Sequence, residues 1–432
     1  MTFGQTGYRF LYLELLEESA ALWMKAVVGV AVYREQPYIG HFSCNDPLLC
    51  RVYDTAAYTV HLCMQRLIWD GIKCDRLVWV GDLYPECRTI LSVFGDTSLL
   101  EESLDFVRSE TPLPQWMNGL PSYSFWWLLN VWELYRYSGN QQYLIAQRDY
   151  VTALLRQMCG CVDAGGHLQL PRYFFDWPTD GTRAAAEGNR ALFCWGLSVG
   201  EQIGACYSDA ALAELCRLTR MRLATHPGEA VGYKQTAALL LLQGIPDPSG
   251  KLRKTLLEGG AAGWSTFMSY FLLQQTACCG GMSVALQTLR EYYGGMLSMG
   301  ATTFWEDFDI AWLPGAVPLE QWPLMGRSIH GAFGKYCYRG LRHSLCHGWS
   351  SGPVPFLVQS VLGIHFVQPG GNRLRLAPDL GDLQWAEGAC PTSQGTVTVT
   401  CEKGTNGQIQ ATVTAPASVT VEAAAGIALI RR

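Results

Sequence analysis

The sequence is poor in charge and has no concentration of either sign. Charged residues make up 16% of 432 positions, the formal net charge is −5, and no lysine- or arginine-rich block occurs. A surface that tracks a phosphate backbone is therefore not indicated, and nucleic acid is not an expected partner. No stretch reaches the roughly 18–20 uninterrupted apolar residues needed to cross a bilayer, so no membrane partner is expected either. The opening Met1-Thr-Phe-Gly-Gln-Thr-Gly-Tyr-Arg-Phe lacks the basic start, apolar middle and small-residue cleavage site of a secretory signal, and the expected location is cytoplasmic. The 16 cysteines lack the spacing of a zinc or redox site: the close pairs are Cys159/Cys161 and Cys278/Cys279, with no matching His pair. Most, such as Cys63, Cys194, Cys206, Cys216 and Cys337, lie in apolar helix-like runs, where a thiol behaves as a small hydrophobe in a reducing compartment. Neither a metal nor a cofactor is expected. Short internal repeats are not evident, which disfavours a solenoid.

What is abundant is apolar and aromatic. Hydrophobic residues reach 49%, with 15 Trp and 20 Tyr, enough for a large core. Flat rings also stack on the C–H faces of sugars, although core packing accounts for most of them. Residues 1–43 mix strand-like pieces (8–13 and 27–33) with polar connections and read as the end of a β-rich unit. Its edges then need cover from a loop or from a homodimer. At Asn45-Asp46-Pro47 a helix should begin, with Asp46 accepting a first-turn N–H and Pro47 at the first helical position. From 44 to 364, apolar segments of helical length alternate with Gly/Pro/Asp-rich connections: 123–137, 141–158, 189–206, 210–223, 229–242, 266–276, 283–299 and 353–362. About a dozen helices with few strand candidates favour paired helices around a common centre. Residues 365–432 alternate polar with β-branched positions between Gly, Asn and Pro turns, and predict a small antiparallel β-domain.

The chemistry concentrates in two places. Asp70-Gly-Ile-Lys-Cys-Asp75-Arg76-Leu-Val-Trp79-Val-Gly-Asp82 puts three carboxylates, an arginine and a tryptophan into 13 residues after an apolar helical run. Far downstream, Trp305-Glu306-Asp307-Phe-Asp309 again crowds acids and rings into a turn. Two such clusters suggest a carboxylate pair acting on a sugar. A capping and salt-bridge network would use the same residue types. Asp176-Trp177-Pro178 sits in a loop where an Asp is also a natural helix cap. His347 and Trp349, on a Gly/Ser-rich turn, fit a hydroxyl donor and a stacking platform as well as they fit core residues. Trp126, Trp127 and Trp132 follow helical spacing in part, and of these Trp127 is kept as a sugar-contact candidate.

The run from Asp70 to Asp82 resembles the signature of bacterial α-L-rhamnosidases with a six-hairpin (α/α)6 barrel, glycoside hydrolase family 78: D-x4-[ED]-R-L-x-W-x-G-D. Phe175-Asp176-Trp177, Thr303-Phe-Trp305-Glu306, Ser344-Leu-Cys-His347-Gly-Trp349 and Val361-Leu-Gly-Ile364 agree in order and spacing, so the similarity covers about residue 7 to the end. The resemblance implies an (α/α)6 barrel over 44–364, a partial N-terminal β segment and a C-terminal β-sandwich. It implies metal-independent, inverting hydrolysis of a terminal α-L-rhamnoside or a similar deoxy-sugar or uronic glycoside. Asp75 falls at the general acid and Glu306 at the general base. Asp70, Arg76, Trp79, Asp82, Asp176, Trp177, Trp305, His347 and Trp349 fall at sugar-contacting positions.

The chain departs from the pattern in two respects. Many members have Glu where Asp75 stands, and the shorter arm draws the carboxyl back by roughly 1.5 Å. A misplacement on the order of 1 Å can cost about a hundredfold in rate. Cys74 also replaces the arginine found in members that carry Asp here. The alternative expectation is a carbohydrate-binding or scaffold protein that keeps the pocket with impaired chemistry.

Overall fold

The computed structural model describes residues 7–8, 11–17, 19–73, 75–226, 232–321, 326–329, 331–336 and 338–431, with Leu341 described by its backbone. Among the positions that the sequence reading used, Cys74, Cys337, residues 1–6 of the opening segment and residues 9–10 of the strand-like piece 8–13 lie outside the described residues, as does the start of the helix expected over 229–242. The 14 described cysteines are free thiols.

The helical region begins where Asp46-Pro47 predicts. Asp46 accepts the Leu48 N–H at 2.9 Å, and α1 runs over Pro47–Cys63. There follow α2 (Leu83–Val93), α3 (Thr97–Glu110), α4 (Pro121–Ser138), α5 (Gln141–Ala146), α6 (Arg148–Gly160), α7 (Arg183–Cys206), α8 (Ala210–Ala224), α9 (Lys234–Leu242), α10 (Lys251–Leu257), α11 (Ser269–Gly280), α12 (Met282–Ser298) and α13 (Pro353–Phe356). Packing sorts them into two sets. Helix α2 touches α4, α4 touches α7, and the series continues through α9, α11 and α13 back to α2. These helices are apolar nearly all round: α2 buries every residue except Arg88, and α9 buries Lys234 through Leu240. Outer helices bury one stripe, as α8 does with Leu212, Cys216, Thr219 and Leu223 at helical spacing. Among the described residues, no helix is long and apolar enough to cross a membrane.

Strands β1 (His41–Cys44), β2 (Ile364–Phe366), β3 (Arg373–Leu376), β4 (Trp385–Thr392), β5 (Gly395–Lys403), β6 (Ile409–Thr414), β7 (Thr420–Ala423) and β8 (Ile427–Arg431) form two sheets, ordered β1-β4-β5-β6-β8 and β2-β3-β7. The antiparallel expectation holds for β1–β4, β4–β5, β5–β6 and β2–β3. It fails for β6–β8 and β3–β7, which are parallel. The cause is topological: a parallel pair requires a crossover, and β7, in the other sheet, supplies one between β6 and β8.

The N-terminal expectation also needs correction. Among the described residues before His41 no strand forms, and β1 joins the C-terminal sheet, with His41 opposite Ala389. Alternating apolar residues are present there, but a strand needs a neighbour to accept its hydrogen bonds. Leu16, Trp23 and Val30 are instead 83%, 93% and 79% exposed.

Candidate active site

The ring helices start at one end of the helical region, and the connections at that end carry the acidic residues. After α1 the chain turns back and reaches Asp70, which is buried. Its Oδ2 accepts the Asp75 N–H at 2.8 Å and its Oδ1 the Leu77 N–H at 2.9 Å, so one carboxylate holds the returning 75–77 segment against itself. The loop also needs a left-handed residue, Arg76 (φ 63°), whose guanidinium lies 4.7 Å above the Trp69 ring.

Two further segments lie against this loop. Ile72 N–H donates to Cys346 O, Gly348 N–H to Asp70 O, and Lys73 Nζ to His343 O at 3.2 Å. The same 343–348 segment pairs with 304–306, through His347 N–H to Phe304 O and Glu306 N–H to Ser344 O. Residues more than 230 positions apart are thus stitched edge to edge by backbone hydrogen bonds.

At their junction sits a charged relay. Asp82, immediately before α2, makes no capping bond of its own. Its Oδ1 instead accepts the Tyr123 hydroxyl and its Oδ2 faces His347 Nε2, both at 3.0 Å. The other ring nitrogen, His347 Nδ1, lies 3.8 Å from Glu306 Oε1, and Glu306 Oε2 accepts the Ser344 N–H at 2.9 Å. The side chains of Asp82, His347 and Glu306 are at most 7% exposed. Burial alone would lower the imidazole pKa, but the carboxylates of Glu306, Asp82 and Asp70 outweigh it and hold His347 up at about 9. Burial pushes Glu306 up to about 7, opposed by His347 and by the Ser344 N–H. Burial likewise raises Asp82. At neutral pH the imidazolium is the charge that keeps a buried Glu306 ionisable. Behind it, Glu86 is fully buried with neither oxygen hydrogen-bonded among the described residues, and burial together with Asp82 and Asp70 raises its pKa well above the usual carboxylate range.

A second acidic pair adjoins the first. Asp176 accepts the Ser265 hydroxyl at 2.5 Å and the Trp177 N–H at 2.9 Å, and burial pushes it up to about 7. Burial pushes Asp307 up to about 6, while the Lys335 N–H donates to its Oδ2 at 3.1 Å. Rings connect the two groups: Tyr338 is edge-on to both Trp177 and Trp349, and Trp349 lies 4.5 Å from His347 while donating its indole N–H to Glu306 O at 3.0 Å.

Asp70, Asp82 and His347 place donor atoms within 4.8 Å of one another, the one such grouping among the described residues. Most of those atoms are already engaged: Asp70 holds the Asp75 and Leu77 N–H groups, Asp82 holds Tyr123 and His347, and a protonated His347 has no lone pair to give a metal. A divalent cation would have to displace these hydrogen bonds.

The sequence candidates thus divide. Asp70, Asp82, Glu306, His347 and Trp349 converge directly, with Trp79 half-buried edge-on to Tyr123. Asp75 is on the same loop but exposed, accepting a hydrogen bond from Arg342 at 3.0 Å. Asp176 and Trp177 form the adjoining group. Trp305 is fully buried against Phe308, and Trp127 is fully buried away from the cluster, donating to Leu104 O of α3 and meeting Tyr150 of α6. Sequence reasoning did not find Tyr123, Glu86 or Arg342, and it met Ser344 only as the first letter of a matching stretch, with no role. Only Glu86 carried a sequence signal, one helical turn after Asp82.

The chain is similar to known proteins in part of its sequence and in its fold. Residues 37–191 match the bacterial alpha-L-rhamnosidase six-hairpin glycosidase domain. The chain is similar over 93% of its length to the GH78 family rhamnosidase of Bacillus sp. GL1, with 23% identity and a TM-score of 0.75, covering 44% of that structure. It is similar over 90% to the rhamnosidase of Aspergillus terreus (16% identity, TM-score 0.74, 48% of that structure). It is similar over the same share to the Streptomyces avermitilis enzyme complexed with L-rhamnose (16%, 0.72, 39%). The chain spans less than half the length of these structures. No curated protein matches it. The fold is that of the α-L-rhamnosidases, a helical region followed by a β region.

Proposed function

We propose that the chain is a glycoside hydrolase that cleaves a terminal α-L-rhamnoside, or a closely similar deoxy-sugar or uronic glycoside, with inversion. The closed series of α2, α4, α7, α9, α11 and α13 is read as the inner layer of an (α/α)6 barrel, and the acidic end as its catalytic mouth. The observation that carries the proposal is Glu306: a buried carboxyl brought to about 7 beside an imidazolium, on a segment tied through 343–348 to the loop bearing Asp75. A general base works best when its pKa lies near the working pH.

In the reaction, Asp75 gives its proton to the glycosidic oxygen as the bond to the anomeric carbon breaks. Water enters from the opposite face, and Glu306 takes its proton. An inverting pair needs roughly 6.5–9.5 Å between its carboxyl groups, room for that water. Asp82 orients His347, which stabilises ionised Glu306. The neighbouring Asp176, Trp177 and Trp349 supply polar and flat contacts for sugar hydroxyls and ring faces.

One observation favours the second reading, a binding protein with impaired chemistry. Asp75 is exposed and accepts a hydrogen bond from Arg342, so to act as an acid it must exchange that guanidinium for the leaving oxygen. Leaving-group dependence separates the two readings. With Asp75 as the acid, Asp75→Asn loses activity on alkyl rhamnosides while sparing a dinitrophenyl rhamnoside, whose phenolate departs without a proton. Glu306→Gln should lose about 100-fold or more on both. Equal losses on both substrates for Asp75→Asn would remove it from the acid role. A wild type inert on every aryl glycoside would support the binding reading.

A further inference from the structure

The ring helices carry a second constellation at their other end. Arg88 lies six residues beyond Asp82, about 9 Å along α2, and Glu133 ten residues beyond Tyr123, about 15 Å along α4. Between them and the acidic mouth the interior is filled with rings: Trp349 packs on Phe267, Phe267 on Trp126, and Trp126 on Tyr84 and Phe271. Beyond this plug lies a cavity of about 460 Å³, lined by α2, α4, α7 and α11 and bordered by β2 and the exposed Val367.

Its chemistry differs from that of a packing void. The Arg88 guanidinium sits near the faces of Tyr84 and Tyr270, at 5.7 and 5.0 Å from the ring centres, and pairs with Glu133 at 2.9 Å. Its Nε has no hydrogen-bond partner among the described residues. Arg136 shares the same carboxylate at 3.4 Å. Two guanidiniums therefore face one carboxylate. Desolvation, and then Arg375, Arg88 and Arg136, lower the pKa of His365, which sits exposed on the rim, and the three guanidiniums mark a positive local field. Gln274 and Gln359 bracket the Tyr270 hydroxyl at 2.7 and 2.6 Å, and Trp132 and Trp195 supply indole surface. Rings for C–H faces, amides for hydroxyls and surplus guanidinium for an anion, in a volume at the lower end for ligand sites, define a small anionic carbohydrate.

We infer that this remote cavity is a second ligand site, taking a monosaccharide-sized sugar acid with its pyranose against the aromatic wall and its carboxylate toward Arg136 and Arg88. The inference goes beyond the hydrolase proposal and does not depend on it.

Calorimetric titration of the full chain with glucuronate and galacturonate tests it, with L-rhamnose and inorganic phosphate as comparators. A uronate should bind with a stoichiometry of one. Glu306→Gln should leave that binding unchanged, Ser198→Trp, which fills the cavity, should abolish it, and Arg136→Gln should weaken it by about tenfold or more. L-Rhamnose should bind about tenfold more weakly or not at all, and phosphate should bind more weakly because it cannot use the aromatic wall. Gln202→Leu, at a rim position, provides a second cavity variant, also weakened, should Ser198→Trp fail to fold. Absence of uronate binding up to about 50 mM would overturn the inference. So would binding indifferent to the cavity variants, binding lost with Glu306→Gln, or equal affinity for L-rhamnose or phosphate.

Discussion

Replacing Asp82 by Asn removes one negative charge 3.0 Å from His347 Nε2 and leaves an oxygen that can accept the same N–H. Both side chains are at most 4% exposed, so solvent screens them weakly. At an effective dielectric of about 20, a charge pair at that separation is worth on the order of 5 kcal/mol. Glu306 and Asp70 still attract the proton, and the hydrogen bond survives, so only part of this reaches the titration. Half of it carries His347 from about 9 to about 7, at about 1.4 kcal/mol per pH unit. Two consequences have fixed sign. Glu306 loses the cation that favours its ionised form, so the acidic limb of kcat/KM, near 7 in the parent, moves to higher pH. A His raised above its unfolded value stabilises the fold fully below about 6.5 and ceases to do so as pH rises through its folded value. The stability that His347 contributes is therefore lost near pH 9 in the parent and near 7 in Asp82→Asn. The variant should melt below the parent at pH 8, with the gap closing towards pH 10. Histidine-selective NMR titration, a pH–rate profile and thermal melts read the three effects. An unchanged His347 titration, or an acidic limb displaced to lower pH, would refute the relay.

Gly348→Ala should destabilise by about 1–3 kcal/mol, because a Cβ there would overlap Glu86 Oε1. Combining it with Glu86→Ala should recover part of that loss in denaturant melts, and strict additivity would count against the contact. Trp127→Ala should cost about 3–5 kcal/mol of stability while leaving KM for an aryl rhamnoside unchanged, since Trp127 is packed between α3 and α6; a raised KM with intact stability would put it in a subsite instead. Arg342→Gln removes an exposed ion pair and should change stability by less than about 1 kcal/mol. It should alter kcat far more than Tm, and an effect on melting alone would make the Asp75–Arg342 contact incidental.

Legibility in the sequence followed covalent nearness. Asp70 and Asp82 are separated by one loop, and Asp46-Pro47 carries its helix start in two residues, so local chemistry sufficed. Arg342 and Ser344 reach the site only because 343–348 is threaded between two distant segments, and no spacing rule encodes that pairing. Trp127 and Trp349 look alike as letters; packing sends one between helices and the other against His347. The helix expected over 141–158 breaks at Gln147, where the side chain turns aside to Asp105 and Arg108 of α3. Helix α7 starts six residues earlier than its apolar pattern, since Thr182 caps it through Oγ1 at 3.2 Å from the Ala184 N–H. Period-two alternation is present before His41, but among the described residues no strand forms there.

The account stands most directly on the first sugar released. Proton NMR of wild-type turnover of p-nitrophenyl α-L-rhamnopyranoside, read before mutarotation, should show β-L-rhamnose appearing first, with no such signal from Glu306→Gln. The α-anomer appearing first, or equal turnover by the Glu306→Gln variant, would contradict the assignment of Glu306 as the base that activates water.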